Sequence, residues 1–323
     1  MTARRFYVSI ALLLLSPTLL AGPLRDRIKE RIAERQQSRQ EADEAQGNVT
    51  ASSPVGRPAT NSSVQRNVAY GSDPKQTFDV YLPDRHEANA PVIFMVHGGA
   101  WKIGDKDHSK VVQNKLARWL PKGFIFISVN YPMLPQADPL KQADYVAQAL
   151  AYAQSHVSQW GGDSNRFILM GHSAGAHLVS LLSADPTIAF SQGARPWLGT
   201  VSLDSAAMDV VQIMSAKHYG FYDEAFGKDS DYWRRSSPLY RITSKAPPLL
   251  MVCSSRRSES CGQADGFAHK AKSLGVPASV LTQNLTHSEI NDKLGLAGPY
   301  TDQVETFMAS LDPSISAQLS QQP

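Results

Sequence analysis

An apolar run, Phe167-Ile168-Leu169-Met170, passes through Gly171-His172-Ser173-Ala174-Gly175 and straight into Ala176-His177-Leu178-Val179, where helix formers continue. A strand that becomes a helix within one tight bend forces its central residue into a strained backbone. Glycines two positions either side let the chain pass without side-chain collision. This strand-turn-helix unit needs a sheet of parallel neighbours to sit in.

The rest of the chain supplies that sheet. Val92 to His97, Phe124 to Asn130, Leu198 to Asp204, Leu249 to Ser254 and Ala278 to Gln283 join Phe167 to Gly171 as runs that read as buried parallel strands. Lys110 to Leu120, Pro139 to Trp160, Ala174 to Ser183 and Gln263 to Leu274 lie between them as crossover helices. Gln76 to Leu82 alternates as a half-buried strand and serves as an antiparallel lead-in. The expected fold is therefore α/β: one mostly parallel, twisted sheet with helices on both faces, over residues 64–311. Residues 312–323 are expected to be a disordered tail.

The N-terminal part is different in kind. Arg4 and Arg5 precede an apolar run from Phe6 to Leu15 that continues through Pro17 to Ala21, too short for a stable membrane span and basic at its start. Residues 1–21 thus read as a secretory signal peptide, against a buried helix or membrane anchor, and the chain is expected to be exported, periplasmic or secreted. After the signal is removed no integral membrane segment remains. Residues 22–63 read as a charged helix, with Leu24, Ile28 and Ile32 four apart, followed by a flexible linker rich in Ser, Thr, Pro, Gly and Asn.

Composition narrows the partners. A net charge of +3, from 32 basic and 29 acidic residues, is too small to mark a nucleic-acid surface. Two cysteines cannot supply the four thiolates of a zinc ribbon, and no Gly-rich phosphate loop ending in Lys-Ser or Lys-Thr is present.

Ser173 at the tight turn is the natural nucleophile, and the amide of Ala174, at the start of a helix, favours a developing negative charge. Upstream, a strand ends in His97-Gly98-Gly99-Ala100-Trp101, where paired glycines let backbone amides come close to a ligand. Serine needs a base to take its proton. Of nine histidines, His97 and His172 belong to the two motifs and His177 to the helix after the turn. His86, His108, His156, His218 and His269 sit in ordinary loop or helix contexts. His287 alone follows the last strand by a short loop, where the sheet would deliver it above the strand ends, and is the expected general base.

Asp79-Val80-Tyr81-Leu82-Pro83, His97-Gly98-Gly99-Ala100-Trp101, Gly104-Asp105-Lys106, Gly161-Gly162-Asp163 and Gly171-His172-Ser173-Ala174-Gly175 together resemble the α/β-hydrolase superfamily. The likeness is to carboxylesterases related to hormone-sensitive lipase and to the kynurenine formamidase group, over about Tyr70 to Ser310. That resemblance implies Ser173 as nucleophile, Gly98, Gly99 and Ala174 as oxyanion donors, His287 as base, a small-molecule ester as substrate, and neither a metal nor an organic cofactor.

The acid departs from the family's pattern. The loop after the penultimate strand, where the family carries an Asp, reads Cys253-Ser254-Ser255-Arg256-Arg257-Ser258-Glu259-Ser260-Cys261, with Arg257 at the expected position. Glu259 is the nearest carboxylate, and a Cys253–Cys261 disulfide would close its loop around it. Asp204, at the end of the strand before, is the rival, with Asp209 and Asp265 behind both. Met208 to Tyr240, dense in aromatic residues, is read equally as core or as a roof over the site. The implied activity is hydrolysis of esters of short-chain or small aromatic acyl groups through an acyl-enzyme. An amidase or formamidase on the same machinery, and a non-catalytic binding protein on a hydrolase scaffold, are the alternatives.

Overall fold

A computed structural model describes residues 63–83 and 88–320. The expected signal peptide at 1–21, the expected helix and linker at 22–62, and His86 lie outside the described residues. No helix among the described residues is long and apolar enough to cross a membrane.

Eight strands form one sheet: β1 (Val64–Ala69), β2 (Thr77–Tyr81), β3 (Ala90–Val96), β4 (Ile125–Val129), β5 (Gly162–His172), β6 (Gly199–Leu203), β7 (Leu249–Ser254) and β8 (Ala278–Gln283). Their order is β1-β2-β4-β3-β5-β6-β7-β8. The first two pair antiparallel, β2 runs antiparallel to β4, and all strands from β3 to β8 are parallel. The helices are α1 (Ser109–Trp119), α2 (Pro139–His156), α3 (Ala174–Ala184), α4 (Thr187–Ser191), α5 (Val210–Ser215), α6 (Gly220–Phe226), α7 (Ser230–Arg235), α8 (Pro238–Arg241), α9 (Ser258–Ser273), α10 (His287–Asp292), α11 (Pro299–Leu311) and α12 (Pro313–Leu319).

Strand side chains alternate between two cores because the pleat has a period of two. Phe94, Val96, Ile127 and Leu169 face a layer built with Val146 and Leu150 of α2 and Leu178 and Leu182 of α3. Ile93, Met95, Ile168 and Met170 face the other, built with Leu116 and Trp119 of α1 and Val304 and Met308 of α11. With both faces covered, the central strands are mostly apolar, with only small buried hydroxyls such as Ser128, Thr200 and Ser202 among their central residues, which is why they stand out in the sequence. This is the expected α/β-hydrolase arrangement.

One strand was missed and three expectations need correction. β1 is an exposed edge strand with polar side chains and gave no hydrophobic signal. β8, expected to be buried, is the opposite edge and only half covered. Helix α9 begins at Ser258 rather than near Gln263, so the segment expected as an open loop is mostly helical. The tail is not disordered over 313–319: α12 buries Ile315 and Leu319 in the second core, Lys122 Nζ donates to the Leu319 carbonyl at 2.5 Å, and Gln318 Nε2 donates to the Lys122 carbonyl at 2.7 Å.

Candidate active site

Ser173 stands between the end of β5 and the start of α3 with φ 53° and ψ −118°, a conformation an L-residue adopts only under constraint. Its own amide is committed to the Leu203 carbonyl of the neighbouring strand at 2.9 Å, which pins the turn to the sheet. A side chain at Gly175 would put its Cβ 2.2 Å from the Val96 carbonyl oxygen, so only glycine lets α3 lie directly on β3. Ser173 itself remains partly accessible.

His287 is delivered by β8 and the turn after it, as expected, but as the first residue of α10. Thr286 caps that helix by a reciprocal pair of bonds: its hydroxyl accepts from the Glu289 amide at 3.3 Å, and the Glu289 carboxylate accepts from the Thr286 amide at 2.8 Å. From the other side, Lys115 of α1 donates to the Asn291 carbonyl at 2.6 Å and to its side-chain oxygen at 2.9 Å. The imidazole is buried, with its ring 4.5 Å from that of His172, whose Nε2 donates to the His287 carbonyl at 3.0 Å. Burial, and then the neighbouring His287, push His172 well below its ordinary range, so it is a neutral prop.

The acid is the clearest correction. Asp204 Oδ2 lies 2.6 Å from His287 Nδ1, whereas Glu259 sits on the first turn of α9, 47% exposed, with its carboxylate 3.4 Å from Arg257 Nε. The early start of α9 is the reason, since the helical turn holds Glu259 outward and Ser260 inward. The Cys253–Cys261 disulfide does close this segment, with Cα atoms 5.1 Å apart, but it does not bring Glu259 to the histidine. Asp204 comes from β6, next to β5 in the sheet, and so stands beside the Ser173 turn.

The Asp204 carboxylate has four donors. His287 Nδ1 and Arg257 Nη1 (2.9 Å) share Oδ2; the Ser254 amide (2.7 Å) and the Ser260 hydroxyl (2.5 Å) share Oδ1. Burial alone would raise the carboxyl pKa, but His287, the Arg257 charge and the Ser260 hydroxyl outweigh it and hold Asp204 far below the usual carboxylate range. An ionised Asp204 accepts the Nδ1 proton of His287, which leaves Nε2 as the ring's acceptor. The 2.6 Å approach of Arg257 Nη1 to His287 Nδ1 is then between two donors converging on one oxygen, not a bond between them. His287 Nε2 is buried and makes no hydrogen bond among the described residues.

Ser173, Ala174, Asp204 and Arg257 line one narrow hollow with Ala100, Trp101, Ala206, Phe221 and Tyr222. Of the three expected oxyanion donors, Ala174 faces this hollow, and as the first residue of α3 its amide has no acceptor within the helix. Gly98 packs directly behind Ser173, where an added Cβ would come within 2.8 Å of the serine Cβ. Gly98 and Gly99 line a separate pocket of about 30 Å³ toward His97 and His172, and Ala100 stands at the wall of the hollow where they were expected. Ala100 (φ 50°), Trp101 (φ 59°), Ser173 and Asp204 (φ 53°) are four of the six non-glycine residues with left-handed backbone among the described residues, and all four line the hollow.

A second layer fixes the Gly98 to Trp101 segment. Tyr131 donates to the His97 carbonyl at 2.9 Å, Gln142 donates to the Trp101 carbonyl at 2.8 Å, and the Trp101 indole donates to His177 Nδ1 at 3.1 Å. His177 Nε2 donates in turn to the Ser236 carbonyl at 2.7 Å, and burial lowers its pKa to about 4, so it is a neutral relay between the segment, α3 and the turn after α7. The aromatic segment after β6 does cover the site: Phe226 packs on Trp101 with ring centroids 4.9 Å apart, and Tyr222 separates the hollow from a larger cavity of about 340 Å³. Ile213, His218, Tyr219, Glu259 and Gln263 line that cavity.

The family description BD-FAE matches residues 78–258, more than half of the chain. Isoprenylcysteine alpha-carbonyl methylesterase ICME of Arabidopsis thaliana is 28% identical over 248 residues, 70% of this chain and 57% of that protein. Esterase LipC of Mycobacterium tuberculosis is 29% identical over 208 residues, 59% of this chain and 51% of that protein. The chain thus spans little more than half the length of these two curated relatives. The structure of esterase B from Lactobacillus rhamnosis superposes with a TM-score of 0.65 at 18% identity, covering 92% of this chain and 97% of that one, which shows a shared fold.

Proposed function

Because the chain belongs to the BD-FAE family, whose match spans the nucleophile turn and the loop that holds Asp204, we propose that it is a serine hydrolase of carboxylic esters. The observation that carries this reading is the buried Asp204–His287 pair, whose Nε2 makes no hydrogen bond among the described residues, with Asp204 lining the same hollow as Ser173 on its strained turn. In the proposed reaction His287 Nε2 takes the Ser173 proton as the hydroxyl oxygen attacks the ester carbonyl. The Ala174 amide, with the Ala100 segment opposite, stabilises the oxyanion. His287 returns the proton to the departing alkoxide. Water then repeats the sequence on the acyl-enzyme and frees the acid. Asp204 stays ionised throughout and stabilises the imidazolium.

The narrow hollow, closed by Phe221 and Tyr222, supports a short-chain or small aromatic acyl group. The larger cavity beyond Tyr222 has room for the rest of the ester. The basic and apolar N-terminus, with the Cys253–Cys261 pair, supports export to an oxidising compartment. Ser173→Ala should abolish p-nitrophenyl acetate hydrolysis and labelling by a fluorophosphonate probe. Wild-type turnover in that variant would sink the assignment. A panel of acyl esters and N-formyl amides on the purified chain would test the acyl size and separate an esterase from a formamidase.

A further inference from the structure

Three of the four donors to Asp204 come from one short segment that belongs to a different strand. The Ser254 amide, Arg257 Nη1 and the Ser260 hydroxyl all lie between Cys253 and Cys261, whose disulfide ties the end of β7 to the first turn of α9. Arg257 also reaches the Asp204 main-chain carbonyl at 3.4 Å, so one guanidinium nitrogen contacts both the backbone and the side chain of the acid. From outside, Glu259 lies 3.4 Å from Arg257 Nε. The chain of contacts runs Glu259, Arg257, Asp204, His287.

We infer that Arg257, backed by Ser260, is a positioning residue for catalysis: it fixes the Asp204 carboxylate in the one orientation that presents Oδ2 to His287. The inference rests on the hydrolase reading. A carboxylate at the end of β6 with a left-handed backbone has no covalent reason to face His287, and partial rotation about its Cβ–Cγ bond would swing its oxygens out of line with Nδ1. Two donors on Oδ1, from Ser254 and Ser260, and the Arg257 guanidinium on Oδ2, all delivered from a closed segment, remove that freedom. The guanidinium places a positive charge near the imidazolium formed in each turnover, which by itself would oppose proton uptake. Glu259, paired to the outer edge of Arg257, offsets that field. The carboxylate first expected to touch the histidine therefore acts on it through the arginine.

The test compares Arg257→Ala, Arg257→Lys and Ser260→Ala with the wild type on p-nitrophenyl acetate, with thermal melts of each. Loss of a charged hydrogen bond in the transition state predicts a kcat for Arg257→Ala lower by roughly ten- to hundred-fold. KM should change less than kcat, because the hydrogen bonds of Arg257 go to Asp204 although its side chain also lines the hollow. Millimolar guanidinium should restore kcat in Arg257→Ala and leave the wild type unchanged, and Arg257→Lys should fall between the two. Ser260→Ala, which removes one small buried hydroxyl, should lower kcat by several-fold in a folded protein. It decides the matter alone if Arg257→Ala fails to fold. Wild-type kcat in Ser260→Ala, kcat in Arg257→Ala equal to or above wild type, or a folded Arg257→Ala with no response to guanidinium would overturn the inference. An inactive wild type or an active Ser173→Ala would instead overturn the hydrolase reading beneath it.

Discussion

Exchanging Asp204 for Asn separates the two carboxylates considered for the third catalytic position. The oxygen of the new amide can accept from the Ser254 amide and the Ser260 hydroxyl, which donate at 2.7 and 2.5 Å. Its NH2 group then faces His287 Nδ1 and Arg257 Nη1, both donors in the wild type. The imidazole relieves that clash by moving its proton to Nε2, the nitrogen needed to take the Ser173 proton. A wrong tautomer held in place reduces kcat by about 10⁴-fold in serine proteases built on the same principle. Here the expected loss in kcat is about 10³- to 10⁴-fold, with KM little changed. Stability also falls, because Arg257, 14% exposed, loses its main counter-charge. Leaving a buried charge unpaired costs about 3–5 kcal/mol, and the remaining contact with Glu259 favours the low end. The assay is steady-state hydrolysis of p-nitrophenyl acetate beside a thermal melt, with Glu259→Gln in parallel. Glu259→Gln should retain turnover within about ten-fold, since its carboxylate touches only the outer edge of Arg257. Asp204→Asn within ten-fold of wild type, together with an inactive Glu259→Gln, would refute the assignment of the acid.

Lys115 is buried with its ammonium on neutral oxygens, and burial, opposed by the Asp292 charge, lowers its pKa to about 7. Its folded pKa lies below its unfolded value near 10.4, so the unfolded chain binds more protons between about pH 7 and 10 and stability rises with pH there, by an order of 4 kcal/mol in all. Lys115→Met should flatten that slope, measured as Tm against pH. Gly98→Ala forces a methyl against the Ser173 Cβ and the His172 carbonyl, at 2.8 and 2.9 Å, and should lower kcat much more than Tm. His177→Phe leaves the Trp101 indole and the Ser236 carbonyl without partners and should lower stability by about 2–5 kcal/mol by chemical denaturation. Ending the chain at Leu311 removes the burial of Ile315 and Leu319 and should reduce stability by roughly 3–6 kcal/mol, an upper bound from area burial.

The central strands were legible because burial on both faces writes a mostly apolar run, and Ser173 because its turn demands small residues at fixed offsets. His287 was legible from its place after the last strand. The edge strand β1 was not, since one open face lets polar residues in and it reads as Val64-Gln65-Arg66-Asn67-Val68-Ala69, whereas the opposite edge β8 was found at Ala278–Gln283 and only its burial was misread. The acid was misjudged for a geometric reason. Counting along the chain favoured Glu259 because it follows the penultimate strand, but the sheet sets β6 beside the nucleophile strand and gives Asp204 the shorter reach. The start of α9 decided the rest, for no strong capping residue precedes Ser258 and Arg257 occupies the N-cap position without a capping bond. The Thr286 and Glu289 pair, by contrast, is a sequence-level helix start and could have set α10 at His287.

The left-handed backbones of Ala100, Trp101, Ser173 and Asp204 set a limit on how far this protein can be hardened against heat. Each strained residue holds back roughly 1–3 kcal/mol that a relaxed one would return to the fold. Selection for thermal endurance should therefore find glycine at position 100 readily, and the toughest survivors from that route should be the slowest to turn over substrate.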